Sequence, residues 1–147
     1  MPKIFEIKTR LVNDLWLSNV KKGGDIFYPR LSKSKKMKLL TLTDYRNFQE
    51  IITFEESKLI TRDRVVVWTY GHIKKLRLET ELSPARVFGP TRYEDSISSS
   101  SFSLSSHFPF DIINLDFSCQ NPDLESGRIE KEIESLEKTI KLQTKLR

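Results

Sequence analysis

Four short stretches place side chains able to do chemistry at the ends of β-compatible runs: Thr43-Asp44, Trp68-Thr69-Tyr70-Gly71, Tyr93-Glu94-Asp95 and Asn114-Leu115-Asp116-Phe117. Their carboxylates and hydroxyls suit ribose or amine groups, and their aromatics suit stacking on a base. If the runs before them are strands of one parallel sheet, the four ends lie side by side where ligands of open α/β sheets bind. The last is the most informative. Phe108-Pro109-Phe110-Asp111-Ile112-Ile113 has the apolar character of a strand buried on both faces, and it breaks into the polar pair Asn114 and Asp116. The plainer alternative, in which Asp116 caps a following helix and Asn114 fills a turn, stands beside that reading.

Other chemistries lack their motifs. The chain has no Gly-x-x-x-x-Gly-Lys-Ser/Thr loop, no Gly-x-Gly-x-x-Gly, no Cys/His cluster of metal spacing and no Gly-x-Ser-x-Gly elbow, which argues against phosphate-loop nucleotide hydrolysis, zinc catalysis and serine hydrolysis. His72, just past the second strand run, could touch a ligand there, and His107 borders a serine-rich stretch. Both read more simply as structural or exposed. The single cysteine, Cys119, has no basic neighbour in sequence to lower its pKa, and it permits no internal disulfide, which fits a reducing, cytoplasmic setting.

The elements that would position these residues follow from periodicity. Residues 3 to 20 place Ile4, Ile7, Leu11 and Leu15 on one stripe, widened by Phe5, Val12, Trp16 and Val20, which predicts an amphipathic helix stopped at Lys22-Gly23-Gly24-Asp25. A polar, basic connection leads to a short strand over 37–43. Asp44 looks like the N-cap of a helix over 45–58, and 59–63 reads as a connection. Arg64 to Tyr70 is the strongest strand signal by its β-branched and aromatic content. Residues 73–82 suit either a short helix or a strand, with the helix favoured, and 85–90 is a weaker strand. Residues 96–106, nearly all serine, predict a flexible loop. The strand at 110–117 is followed by a helix over 124–146, with Ile129, Ile133, Leu136 and Ile140, joined by Leu142, as its packing face.

Strand and helix thus alternate four times, which predicts a single three-layer, Rossmann-like α/β domain with a mostly parallel sheet of about four strands. Residues 1–36 would supply the N-terminal helix and basic loop, and 37–147 the sheet core. Length fits one domain, because 147 residues can bury one real core. With 37% hydrophobic and 31% charged residues, no apolar run approaches a membrane span. The net charge of +5 is unevenly placed. Lys21, Lys22, Arg30, Lys33, Lys35, Lys36 and Lys38 cluster, while 123–137 is mainly acidic. Lys33, Lys35, Lys36 and Lys38 could contact a nucleic-acid backbone, although a solvated loop is the commoner meaning of such a run.

The order of elements, with Asp-Ile-Ile-Asn-Leu-Asp-Phe as fourth strand, resembles the first half of a class I S-adenosylmethionine-dependent methyltransferase. The strand itself is similar to the Asp-x-Ile-Asp-x-Asp-Pro-Phe-Gly segment of tRNA guanine dimethyltransferases. More loosely it is similar to the Asn/Asp-Pro-Pro-Tyr/Phe motif of amino-methylating enzymes. The resemblance implies that Asn114 or Asp116 contacts the target amino group and that Phe117 stacks on the base. Thr43, Asp44, Trp68, Tyr70, Gly71, Glu94 and Asp95 would then line an S-adenosylmethionine pocket. Leu42-Thr43-Asp44-Tyr45 stands where that family has a glycine-rich loop, and Trp68-Thr69-Tyr70-Gly71 where it has a ribose-binding acid. The family's sheet has further strands, so the fourth strand here would be an edge, open to a second copy of the chain or to a partner. The implied function is methylation, with nucleic acid as the substrate class, by a domain that is incomplete or degenerate beside that family. The alternative is a non-catalytic module for oligomerisation or nucleic-acid contact.

Overall fold

A computed structural model of the chain describes residues 10–27, 36–44, 48–117 and 128–145. Runs rich in leucine and valine form four strands: β1 (Met37–Leu42), β2 (Ile60–Trp68), β3 (Arg86–Phe88) and β4 (Ile112–Asn114). All pair in parallel, in the order β3-β2-β1-β4. A π-helical segment, Leu11–Trp16, runs into α1 (Leu17–Phe27). The remaining helices are α2 (Gln49–Glu56), α3 (His72–Glu81), the short α4 (Tyr93–Ser96) and α5 (Arg128–Lys145).

Strand alternation divides the core. Leu40, Leu42, Val66 and Trp68 face Tyr93, Phe102, Leu104, Phe108 and Phe110, with Leu142 of α5 packed against them. Leu39, Val65 and Val67 face Ile51 and Phe54 of α2 and Leu78 of α3, with Trp16, Leu17 and Val20 alongside. The sheet is covered on both sides, so this is the three-layer, Rossmann-like α/β fold. Each large side chain buried in this way contributes about 1.5–3 kcal/mol relative to exposure.

Several local expectations are corrected. The N-terminal helix does not stop at the glycines but continues to Phe27, and its packed side is Val12, Trp16 and Val20, whereas Leu11 and Leu15 are exposed. Ile4, Ile7 and Phe5 lie outside the described residues. Residues 60–63 belong to β2, held there by the pairing of Ile60 with Met37 and by Arg62, which grips Glu55 of α2 through two bonds of 2.8 and 2.6 Å. The serine-rich stretch is not a free loop. Ile97, Phe102 and Leu104 insert into the core, and successive turns bond Phe102 N to Ser99 O and Ser105 N to Phe102 O.

The face of α5 is also reversed. Ile129, Ile133, Leu136 and Ile140 are exposed, at 67, 53, 45 and 54%, and the buried positions are Ser135 and Thr139. Polar anchors select that orientation. Arg128 pairs with Glu94 at 2.5 Å, Thr139 bonds the Tyr93 hydroxyl at 2.8 Å, and Gln143 clamps both backbone groups of Phe110. The two buried hydroxyls are satisfied by their own helix, donating to Glu132 O and Ser135 O.

Candidate functional site

From β1 the chain moves outward to β2 and β3, then returns past β1 to form β4 on the other side. The direction of winding therefore reverses between β1 and β4, and the crevice outside the carboxyl ends of these two strands is the topological switch point. Register places Asn114 opposite Thr41 there. Thr43 and Asp44 extend β1 beyond its last paired residue, and Asp116 and Phe117 extend β4.

A buried polar chain lies under this crevice. Asn114 Nδ2 donates to Thr41 Oγ1 at 3.1 Å, and Thr41 donates to Glu50 Oε1 at 2.8 Å. Thr41 and Glu50 are fully buried. One turn along α2, Thr53 donates to Asn13 Oδ1 at 2.9 Å and accepts from Gln49 at 3.1 Å. Asn13 sits in the π-helical segment, whose wider turn is a feature often found beside functional sites. Glu50 and Thr41 carry no motif, so sequence reading missed them. The usable signal is a glutamate in the first turn of a helix whose neighbours Ile51 and Phe54 are core residues, a position that turns its carboxylate toward the strand ends.

The structure sorts the residues expected at the site into different surroundings. Asn114 and Asp116 stand at the switch point with Thr43, which is buried, and with Asp44, which is partly exposed. Asp44 does not open α2, which begins at Gln49; its carboxylate is held 3.0 Å from Lys74 of α3. Tyr70 is exposed at the end of β2, with the Arg92 guanidinium 4.8 Å from its ring centre. Gly71 has φ +108° and leads into α3, its N–H bonded to Pro90 O.

Four expected site residues are placed elsewhere. Trp68 is a core side chain, 3% exposed, with its indole N–H bonded to Thr91 O and its rings against Phe88, Tyr93 and Phe102, so it has no face left to stack on a ligand. Glu94 is buried and, with Asp95, holds Arg128 at the start of α5, which raises the guanidinium's pKa mainly through the Glu94 hydrogen bond. Phe117 packs against the core cluster that contains Trp68. Beside these, burial pushes the Tyr93 phenol up to about 12, with its bond to Thr139 opposing the shift. Tyr93 is therefore a neutral anchor.

The ends of β2 and β3 approach each other closely. Thr69 N bonds Phe88 O, and a Cβ at Gly89, where φ is +143°, would run into the Thr69 carbonyl. Only glycine fits there. Of the basic residues expected to meet nucleic acid, Lys33 and Lys35 lie outside the described residues. Lys36 donates to Lys58 O, and Lys38 donates to His107 O. No helix among the described residues is long and apolar enough to cross a membrane. No protein-family model matches the chain, and neither the curated proteins nor the solved structures contain a significant match.

Proposed function

We propose that the chain is an S-adenosylmethionine-binding, methyltransferase-like domain whose ligand occupies the crevice between the carboxyl ends of β1 and β4. One observation carries the reading: the strand order puts the switch point where Asn114 and Asp116 meet Thr43 and Asp44. The support is chemical as well as topological. Asn114 donates one of its two N–H groups to Thr41, and its carbonyl oxygen is the acceptor an amino group would use. The Thr41–Glu50 chain fixes that amide in one orientation before any ligand arrives, which lowers the ordering cost of binding. Asp44, backed by Lys74, is the carboxylate nearest to hold ribose hydroxyls. A nucleic-acid base carrying the amino group is the substrate class this arrangement suits, and Tyr70 replaces Trp68 as the exposed aromatic at the edge.

Calorimetric titration of the full chain with S-adenosylhomocysteine tests this reading. Binding is expected, weakened about tenfold by Asn114→Ala or Asp116→Ala, the loss of one strong hydrogen bond. Absence of heat up to millimolar ligand contradicts it.

The exposed stripe on α5 favours a second reading, an interaction module. Ile129, Ile133, Leu136 and Ile140 follow the alternating four-and-three spacing of a coiled-coil seam. In that pattern Glu130, Glu132 and Glu137 flank the seam. A parallel pair of identical copies would set Glu132 of one against Glu137 of the other, so the seam suits a partner helix with lysine or arginine at those positions rather than a second copy.

A further inference from the structure

At the opposite edge of the sheet, three strands repeat one sequence pattern: Lys38-Leu39-Leu40 in β1, Arg64-Val65-Val66 in β2 and Arg86-Val87-Phe88 in β3. Each has a cation two residues before an apolar residue of the face that carries Trp68 and Tyr93. Since side chains alternate along a strand, the cations share that face. Register brings them together. Leu39 pairs with Val65, which sets Lys38 beside Arg64, and Val66 pairs with Arg86. His107, from the turn Ser105–His107, closes the group with its ring edge-on to Phe88 at 5.3 Å.

The result is a pocket of about 240 Å³ lined by Lys38, Asp63, Arg64, Val66, Arg86 and His107. It is lined by a lysine, two arginines and one carboxylate. The Lys38 ammonium is fixed by the His107 carbonyl and by the Phe110 ring, 4.6 Å from its centre. Arg64 Nε is buried with no hydrogen-bond partner among the described residues, an arrangement that costs free energy unless something accepts from it. Burial, then Arg64 and Arg86, hold Lys38 below the ordinary lysine value, with Asp111 pulling the other way. Burial, Arg86 and Lys38 hold His107 below its ordinary value in the same manner. In both cases burial is the larger cause and neighbouring cations add to it.

We infer that this pocket binds a tetrahedral oxyanion, the phosphate group of a small molecule. The volume of about 240 Å³ lies below the roughly 300 Å³ at which pockets for drug-sized ligands begin, a size that suits a compact anionic group. Arginine's fork suits such an oxyanion, and Arg64, partly buried with its Nε shielded from solvent, offers a donor from the wall of the pocket. An extended nucleic-acid backbone suits the place less well, because Asp63 lies in the wall and Asp111 beside Lys38, its carboxylate accepting from the Lys38 backbone N–H. The site is separate from the switch point, and its occupancy does not depend on the reading proposed there.

Sulfate and inorganic phosphate are the probes. Thermal unfolding of the full chain in sodium sulfate, against sodium chloride at equal ionic strength, is expected to show stabilisation specific to sulfate, and calorimetry to show saturable binding. Arg86 is exposed, so Arg86→Gln should fold. It is expected to melt at or above the wild-type temperature without sulfate, because a repulsion is removed, and to bind sulfate about tenfold more weakly. Arg64→Gln should show the same weakening. Equal sulfate responses in wild type and Arg86→Gln would overturn the inference, as would displacement of sulfate by a single-stranded RNA oligonucleotide at concentrations where phosphate has no effect.

Discussion

Glu50 accepts from the Thr41 hydroxyl in a bond that ties α2 to the middle of the sheet. Replacing Thr41 by valine keeps the shape and removes the donor, leaving a fully buried carboxylate oxygen without that hydrogen bond. Such a loss costs about 1–3 kcal/mol. Urea denaturation should therefore show Thr41→Val destabilised by that amount. Thr80→Val, which removes an exposed hydroxyl bonded to its own helix at Leu76 O, should stay within about 0.5 kcal/mol of wild type. At this scale the sequence was legible only where chemistry and position coincided. Asn114 and Asp116 were readable as a polar end to an apolar strand, and they do stand at the switch point. Trp68 and Glu94 looked the same on paper, yet one is packed among three aromatic rings and the other pairs with an arginine thirty-four residues away. No local pattern reveals such distant partners.

Among the elements, α5 shows how a periodic stripe can be recognised while its direction is misjudged. The spacing of Ile129, Ile133, Leu136 and Ile140 marks a helix correctly, but hydrophobicity alone aims the stripe at the sheet. The actual orientation is set by Arg128, Thr139 and Gln143, whose partners Glu94, Tyr93 and Phe110 come from other segments. The exposed seam gives a prediction at this scale. Wild type mixed with a Glu132→Lys/Glu137→Lys variant should sediment as a heterodimer, because each glutamate then faces a lysine, while either protein alone should remain monomeric. A mixture that stays monomeric contradicts the seam as a helix-docking surface. The serine-rich segment offers the converse lesson. Its composition predicts disorder, but Phe102 and Leu104, isolated among the serines, are enough to fasten it to the core. The strands and α3 were legible because β-branched runs and their flanking turn residues are local signals, and alternation of strand with helix sufficed for the parallel order.

For the whole molecule, the all-parallel order β3-β2-β1-β4 gives the sheet two chemically different edges. The carboxyl edge carries Asn114, Asp116, Thr43 and Asp44 around a preorganised amide. The amino edge carries Lys38, Arg64, Arg86 and His107 around a cationic hollow. On the proposed function, a nucleoside cofactor belongs to the first of these. Amide hydrogen exchange of the full chain with and without saturating S-adenosylhomocysteine locates the ligand directly. A ligand seated at the switch point is expected to slow exchange at residues 42–44 and 114–117, the carboxyl ends of β1 and β4. Unchanged exchange there, or protection confined to the amino edge around Arg64, Arg86 and His107, would contradict it.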